Sequence, residues 1–241
     1  MVTLSIVIPC YNEEEGLPQL FSQIKTIVKR LKSRYILDFV FVDDGSRDNT
    51  FRMLSRFKKE LSNARKGVYV KIIRHKTNKN LGSALKTAFK NIKGDLVVTA
   101  DADCTYSILD IPKLLSLLDD ETDIVAASPY HPKGSSDIRP KYRLWLSKIT
   151  SKIYAIITRS DIHSFTPIFR VYRREVIDKV KIRSRGFLAV TELLIYSIKK
   201  GYRIKEMPAR LRVRKYGQSN MRLASTIGSH FILMIKLLLG M

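Results

Sequence analysis

Two aspartates separated by one residue, Asp101 and Asp103, directly follow the apolar run LVVT at residues 96–99. Carboxylates at positions i and i+2 in a bend after a buried strand can converge on one divalent cation, and Mg²⁺ and Mn²⁺ favour such oxygen ligands. A cation there would neutralise a diphosphate leaving group. The alternative is a loop that carries two solvated acids and a helix cap, and the pair alone favours this alternative because two aspartates at this spacing are common by chance.

A second acidic cluster, DDGS at residues 43–46, follows the apolar run DFVFV. The carboxylate of Asp44 can accept hydrogen bonds from a nucleobase or a ribose, and Gly45 permits the tight turn that would aim it. The alternative is a helix start that is capped by Ser46 or Asp48. Both roles are compatible with each other.

A third polar cluster, PCYNE at residues 9–13, follows the first apolar run of the chain, TLSIVIP. Tyr11 can stack on a base or hydrogen-bond to it, and Glu13 can bind the same base. The alternative is again a helix start, with Asn12 as the cap. The order of three polar turns after three buried strands favours a nucleotide site, because ligands of parallel α/β sheets bind at the carboxyl ends of the strands.

The elements that must position these clusters alternate along the first half of the chain. The predicted strands lie at residues 3–9, 38–42, 68–73, 96–99 and 123–127. The predicted helices lie at residues 13–34, 48–61, 81–92 (closed by Gly94) and 110–118. Strands that alternate with helices predict an α/β fold with a parallel sheet.

The second half is less regular, and its apolar stripes predict amphipathic helices. Predicted elements there are an amphipathic helix at 139–158, a strand at 168–171, a helix at 187–199, a strand at 202–208 and a final apolar helix at 224–239. The run at the C-terminus is interrupted and shorter than the roughly 20 apolar residues of a membrane-spanning helix, so we expect no transmembrane span. The alternative for residues 224–239 is packing on the rest of the chain or dimerisation.

Composition bounds the class of protein. The 241 residues are 45% hydrophobic, which suffices for one sizeable core and excludes disorder, and two cysteines exclude a disulfide framework and a structural zinc site. The chain opens without the basic segment of a signal peptide, so we expect none.

The net charge of +22 is concentrated in residues 125–241, which carry 24 Lys and Arg against six Asp and Glu. Such a surface fits a polyanion, either nucleic acid or an anionic membrane. No helix-turn-helix, RNP or zinc-finger pattern occurs, whereas basic side chains flank the apolar stripes at 139–158 and 222–239. We therefore expect a peripheral, monotopic protein at the cytoplasmic face of the membrane, with no nucleic-acid partner.

Four segments together resemble the family 2 glycosyltransferases, and the resemblance implies their GT-A fold, a Rossmann-like, mostly parallel sheet flanked by helices. They are SIVIPCYNEE (5–14), FVDDGSRDNT (41–50), NLGSALKTAF (80–89) and DADCTY (101–106). Later segments resemble one subgroup, the dolichyl-phosphate mannose synthases. These segments are ASPYHPKG (127–134), RPKYRLWLSK (139–148), FRVYRREV (169–176), GFLAVTELL (186–194) and RVRKYGQSN (212–220).

This resemblance implies an inverting, metal-dependent transfer of a hexose, favoured to be mannose from GDP-mannose, to a dolichyl or other polyprenyl phosphate. The alternatives are a UDP-glucose-dependent polyprenyl-phosphate glucosyltransferase, and a family 2 enzyme that transfers to a glycan or glycolipid hydroxyl with Glu192 as base. A silent nucleotide-sugar or nucleic-acid binding module is a further competitor, against which the intact Asp101 and Asp103 weigh. The implied domains are a catalytic domain at 1–220, with a nucleotide-sugar half at 1–130 and an acceptor half at 131–220, and a terminal helix at 221–241.

The resemblance also implies roles for individual residues. The nucleoside would be bordered by Pro9, Tyr11, Glu13, Val42 and Asp44. The diphosphate and Mg²⁺ or Mn²⁺ would be held at Asp101, Ala102 and Asp103, with an oxygen from Thr105, which stands where the family usually has Gln. Arg143 and Arg214 would bind phosphates through their guanidinium groups. Glu192 would orient an arginine or a sugar hydroxyl. Asn220 and Pro129 replace a Lys and an Arg of the family pattern.

Overall fold

The computed structural model of the protein describes residues 1–64, 67–138, 141–217 and 223–239, without the side chains of residues 62–64, 143 and 223. Nine strands are present in this part of the chain. They are β1 (Val2–Cys10), β2 (Tyr35–Asp43), β3 (Val68–Arg74), β4 (Leu96–Thr99), β5 (Ile124–Ser128), β6 (Ser135–Ser136), β7 (Arg170–Arg173), β8 (Ile204–Pro208) and β9 (Arg210–Leu211).

Eight α-helices accompany these strands in the described residues, and a 3₁₀ turn at Ile108–Asp110 precedes the fourth. They are α1 (Leu17–Leu31), α2 (Thr50–Ala64), α3 (Leu81–Phe89), α4 (Ile111–Ser116), α5 (Lys141–Thr158), α6 (Arg174–Lys179), α7 (Leu188–Lys199) and α8 (Leu223–Leu238).

Seven strands form one sheet in the order β3-β2-β1-β4-β7-β5-β8, and β6 pairs with β9 separately. Strand β7 runs antiparallel to both of its neighbours, while all other pairs in the large sheet are parallel. The carboxyl ends of β2, β1 and β4 therefore lie side by side. This arrangement confirms the mostly parallel α/β sheet flanked by helices that the sequence predicts.

The continuous apolar runs of the strands arise because both faces of the sheet are covered. In β1, Ile6 and Ile8 point into one core layer and Val7 into the other, and all three are fully buried. The first layer packs against α1, α2 and α4, and the second packs against α3, α5, α7 and α8. Burial on both faces favours parallel pairing and Val- and Ile-rich strands.

Helix α1 begins at Leu17, four residues later than the prediction from residue 13. Pro18 occupies its first turn, where a fixed φ and a missing N–H cause no loss, and Gly16 stands at the N-cap position. Asn12 does not cap the helix, because its backbone is in the left-handed region with φ 54°. Residues 13–16 form a turn that separates the strand from the helix.

The prediction that Gly94 closes a helix is wrong, because α3 ends five residues earlier, at Phe89. A Cβ at Gly94 would lie 2.5 Å from the backbone nitrogen of Ser5, so the glycine is required by close approach to β1. The Gly94 N–H donates to Ser5 Oγ (2.9 Å), and that hydroxyl donates to Asp38 Oδ2 (2.8 Å). The six-residue helix α6 was not predicted, since it is too short to show helical periodicity.

Helix α8 packs on the body of the protein through Leu233 and Leu237, which belong to the core layer shared with α5 and α7. At the same contact, His230 Nδ1 lies 3.0 Å from the hydroxyl of Tyr154 on α5. None of the described helices combines the length and the apolar character that crossing a bilayer requires. Packing on the body leaves the remaining faces of α8 for other contacts.

Burial lowers the pKa of His230 from 6.5 to about 4, so stability depends on pH through this residue. The unfolded chain binds the proton more readily than the folded one between these values, and the stabilisation present above pH 6.5 is therefore lost as pH falls toward 4. We expect wild-type protein to lose roughly 2 kcal/mol more unfolding free energy than His230→Gln between pH 7 and pH 5, measured by denaturant titration. Equal losses in the two proteins would contradict this expectation.

Candidate functional site

The carboxyl ends of β1, β2 and β4 border a cavity of about 810 Å³. Its walls include most of the residues that the sequence assigns to a nucleotide and metal site, although they lie far apart in the chain. The predicted site residues that line it are Pro9, Tyr11, Glu13, Asp44, Asp101, Ala102, Asp103 and Arg214. The cavity is therefore located where ligands bind in open α/β sheets.

Asp44 is held in a fixed orientation at the end of β2. Its Oδ1 lies 2.6 Å from His75 Nδ1 and accepts the backbone N–H of Lys79 (3.0 Å). The other ring nitrogen of His75 lies 2.9 Å from Thr87 Oγ1. Both contacts use the same oxygen, Oδ1. The turn requires Gly45, whose φ is +76° and whose Cβ would lie 2.6 Å from the backbone carbon of Thr77.

The turn after β1 is joined to the turn after β2 by hydrogen bonds to side chains, among them the candidate helix caps Asn12 and Ser46. Ser46 Oγ accepts the Asn12 N–H (3.0 Å), and Thr50 Oγ1 accepts the Glu13 N–H (2.8 Å). In return, Asn12 Oδ1 accepts the Arg47 N–H (2.9 Å). Ser46 thus supports the neighbouring turn, and the two walls at this end of the cavity are held together.

The carboxylates of Glu13, Asp101 and Asp103, here called the acidic group, line one part of the cavity beside Arg214. Arg214 donates to Glu13 Oε2 (2.6 Å) and approaches Asp103 Oδ2 (3.5 Å). Burial, with a smaller contribution from Asp103, raises the pKa of Glu13 to about 7, against the opposing effect of Arg214. Burial and the nearby Asp103 and Glu13 raise the pKa of Asp101 as well. This part of the site therefore favours a bound positive charge.

Arg214 reaches the carboxylates from a segment, residues 212–217, that crosses the site after β9. The Arg212 N–H donates to the Thr105 carbonyl (2.9 Å), and the Gly217 N–H donates to Glu15 Oε2 (2.8 Å). Arg214 also donates through Nε to the Tyr216 carbonyl (2.6 Å). The segment is thereby fixed at both ends and presents a guanidinium to the acidic group.

The donor set fits a divalent cation that takes part of its coordination from a substrate. Among the described residues, no three His, Cys, Asp or Glu side chains are arranged to hold a metal ion together. Asp101 and Asp103 do share the cavity, and Mg²⁺ is usually bound by one or two carboxylates together with substrate phosphates. Two aspartates beside a diphosphate would meet that requirement.

Several predicted site residues lie elsewhere or outside the description. Val42 is fully buried in the core layer that contains α3, and Thr105 is not among the residues lining the cavity. Glu192 is also absent from the lining, and its carboxylate accepts the N–H groups of residues 183 and 184, so its placement does not support the alternative in which Glu192 acts as a base for a hydroxyl acceptor. The side chain of Arg143 and the whole of Asn220 lie outside the described residues.

Sequence reasoning missed one wall of the cavity. The unassigned lining residues include Arg47, Asn78, Asn80, Ser184, Arg185, Phe187, Ser225 and Ser229. A signal for some of them was present, because segments 80–89 and 186–194 were recognised by resemblance without any role for single residues. Ser225 and Ser229 belong to α8, and nothing in the sequence indicates that this helix reaches the cavity.

A Rossmann-like sheet whose strand ends carry a DxD pair beside a nucleotide-sized cavity is typical of the GT-A glycosyltransferases. The family model for glycosyl transferase family 2 matches residues 5–181. The chain belongs to this family, as its sequence motifs predict.

Two curated relatives are polyprenyl-phosphate enzymes by name. A dolichol-phosphate mannosyltransferase of Pyrococcus furiosus is 33% identical over 221 residues, which are 91% of this chain and 59% of that protein. An undecaprenyl-phosphate 4-deoxy-4-formamido-L-arabinose transferase of Proteus mirabilis is 35% identical over 181 residues, 73% of this chain and 50% of that protein. The chain thus spans between half and three fifths of the length of these relatives.

Among solved structures, glucosyl-3-phosphoglycerate synthase of Mycobacterium tuberculosis shares the fold. Its complex with Mn²⁺, UDP-glucose and phosphoglyceric acid matches 98% of this chain and 79% of that chain, with a TM-score of 0.72 and 18% identity. Its complex with Mg²⁺ and UDP matches with a TM-score of 0.70 and 20% identity. At this identity the likeness concerns the fold, which is the GT-A arrangement.

Proposed function

We propose that the protein is an inverting, metal-dependent glycosyltransferase that moves a hexose from a nucleotide donor to a polyprenyl phosphate. The observation that carries the proposal is one continuous cavity that joins the base-side residues Tyr11 and Asp44 to Asp101, Asp103 and Arg214. The two curated relatives, whose names give polyprenyl phosphates as acceptors, support the same reaction class.

The position of Glu192 favours a phosphate acceptor over a hydroxyl acceptor. Its side chain is only 3% exposed, and both carboxylate oxygens accept backbone N–H groups at 3.0 and 2.7 Å. A hydroxyl nucleophile requires a general base within reach, whereas a phosphate oxygen is already ionised near pH 7. The protein then has to position two substrates and stabilise charge on the leaving diphosphate.

The leaving diphosphate would be bound between the two aspartates of the acidic group and Arg214. Asp101 and Asp103 would hold Mg²⁺ or Mn²⁺, which when bound supplies Lewis-acid stabilisation of the diphosphate. The Arg214 guanidinium, 3.5 Å from Asp103 Oδ2, is placed to donate to the same diphosphate. We propose that Arg143, on α5, binds the acceptor phosphate, and that residues 1–220 form the catalytic domain with residues 221–241 as its terminal helix.

For the donor we propose GDP-mannose, with UDP-glucose as the competitor. The relative of Pyrococcus furiosus, named a mannosyltransferase, supports mannose through its coverage of 91% of this chain. Purified protein with Mn²⁺ and a polyprenyl phosphate should transfer label from GDP-mannose into the organic phase faster than from UDP-glucose at equal concentration. Faster transfer from UDP-glucose would overturn the donor assignment and leave the reaction class intact.

We propose that the protein binds the cytoplasmic face of an anionic membrane through an apolar face formed by α5 and α8. The exposed apolar side chains of this face are Tyr142, Trp145, Leu146, Ile149, Ile153 and Ile156 on α5, and Ile227, Phe231, Ile232, Ile235 and Leu238 on α8. Four exposed lysines accompany them, at positions 141, 148, 152 and 236. Apolar side chains beside lysines fit the interface of an anionic bilayer, where the lipid phosphate of the acceptor is located.

Vesicle binding tests this face. We expect wild-type protein to sediment with phosphatidylcholine–phosphatidylglycerol vesicles and to bind less at high salt, because screening weakens the contribution of the lysines. The double variant Trp145→Ser, Phe231→Ser should bind about tenfold more weakly, since it removes two exposed aromatic anchors. Tyr69→Ser is the matched control, because Tyr69 is 60% exposed on β3. Equal binding by all three proteins would contradict the assignment.

A further inference from the structure

The loop at residues 181–187, between α6 and α7, forms one wall of the cavity, and none of its residues has a role in the proposed mechanism. Ser184, Arg185, Gly186 and Phe187 of this loop line the same cavity as Asp101 and Arg214. A loop that faces bound substrate has to be held in place by the body of the protein, and here two helices do so.

Helix α7 holds the loop through Glu192. The Glu192 carboxylate accepts the Arg183 N–H at Oε1 (3.0 Å) and the Ser184 N–H at Oε2 (2.7 Å). Hydrogen bonds from backbone N–H groups to a carboxylate are stronger than neutral ones, and this carboxylate is buried. The two residues that precede Arg185 are therefore fixed by one buried side chain.

Helix α3 holds the same loop from the other side. The Ser83 N–H donates to the Arg185 carbonyl (3.1 Å), and Lys86 Nζ donates to the Arg183 carbonyl (2.7 Å). Gly82 permits this approach, because a Cβ there would lie 2.6 Å from the Ser184 carbonyl oxygen. The backbone of residues 183–185 is thus clamped between α3 and α7.

The Arg185 side chain differs from that of Arg214 in its partners. Arg214 is held by two carboxylates, whereas no carboxylate among the described residues forms an ion pair with Arg185, which is exposed and lines the cavity. A guanidinium with no opposing charge, on a clamped backbone, is suited to donate in a bidentate manner to a phosphate.

We propose that Arg185 binds a phosphate group in this cavity and that Glu192 is a positioning residue that fixes the loop carrying it. This inference rests on the proposed function for the identity of the phosphate, which is either the diphosphate of the nucleotide donor or the phosphate of the lipid acceptor. It gives Glu192 a role in binding and none in proton transfer.

Calorimetric titration tests Arg185 without requiring turnover. The probes are GDP and UDP, each with Mn²⁺, and a short polyprenyl phosphate in detergent. We expect Arg185→Ala to bind one class of probe at least tenfold more weakly, with partial recovery in Arg185→Lys and no change in the matched control Arg183→Ala. Weaker nucleotide binding identifies the donor diphosphate, and weaker lipid binding identifies the acceptor phosphate. Wild-type affinity of Arg185→Ala for every probe, or no binding of any probe by wild-type protein, would overturn the inference.

The role of Glu192 is tested by its coupling to Arg185. Glu192→Gln should weaken the same probe, and the double variant should be no weaker than Arg185→Ala alone. If Glu192→Gln is poorly folded, Gly82→Ala replaces it as the test. The added Cβ on α3 would clash with the Ser184 carbonyl oxygen and displace the loop, so this variant should also bind the probe more weakly. Unchanged probe binding in Glu192→Gln with loss of turnover and of the acidic limb of the pH–rate profile would make Glu192 a base and overturn the positioning role. Wild-type protein that binds probes and transfers no hexose would refute the proposed function alone.

Discussion

Replacing Asp103 by Asn is expected to lower the rate of hexose transfer by about three orders of magnitude or more. Asn keeps an oxygen that can accept the Thr105 N–H, which now donates to Asp103 Oδ1 at 3.0 Å, so the turn should persist. The substitution removes one of the two charges that would hold the cation beside the leaving diphosphate. The measurement is kcat with saturating donor and Mn²⁺.

Asp120→Asn is the matched control for this experiment, because it makes the same chemical change on a carboxylate that is fully exposed. Its rate should equal that of the wild type, and both variants should unfold at the temperature of the wild type. A wild-type rate in Asp103→Asn would remove this aspartate from the proposed cation site.

Replacing Arg214 by Ala should lower kcat/KM for the nucleotide donor by about a hundredfold. The guanidinium lies 2.6 Å from Glu13 Oε2 and 3.5 Å from Asp103 Oδ2, at the place where the diphosphate would lie, and a charge-assisted bidentate contact is lost with it. Arg214→Lys should recover part of the loss, because lysine keeps the charge and lacks the fork. Steady-state kinetics with varied donor measures the effect.

Arg210→Ala provides the control for Arg214, since Arg210 belongs to the adjoining strand β9 and pairs with Asp137 on the surface. This variant should retain the donor kinetics of the wild type. Donor kinetics of Arg214→Ala that match those of Arg210→Ala would exclude Arg214 from the donor site and would leave the acidic group without its proposed cationic partner for the diphosphate.

The strands were predictable because their burial on both faces leaves continuous apolar runs, as in β1 and β2. The start of α1 was harder to predict. Asn12 is a residue type that commonly caps helices, but its backbone adopts φ 54° in the turn between β1 and α1. Gly94 is a residue type that commonly ends helices, but glycine is required here because Ser5, 89 residues away in the chain, approaches its backbone closely. Local patterns could reveal neither cause.

Some site residues were likewise predictable from local patterns, while others depend on contacts between distant parts of the chain. The turns that carry Tyr11, Asp44 and Asp101 follow buried strands, so their convergence follows from the sheet itself. Arg214 meets Glu13 across 201 residues, and only family resemblance indicated its place. The wall that includes Arg185 was missed because its position depends on contacts from both α3 and α7 that no local pattern encodes.

The acceptor is the central claim, and a comparison of two lipids tests it most directly. Labelled donor is incubated with the protein, Mn²⁺ and either a polyprenyl phosphate or the matched polyprenol of equal chain length, and label in the organic phase is counted. The account predicts transfer to the phosphate alone, because the Glu192 carboxylate is occupied by two backbone N–H groups and no base is needed for an ionised nucleophile. Transfer to the polyprenol at a comparable rate would contradict it.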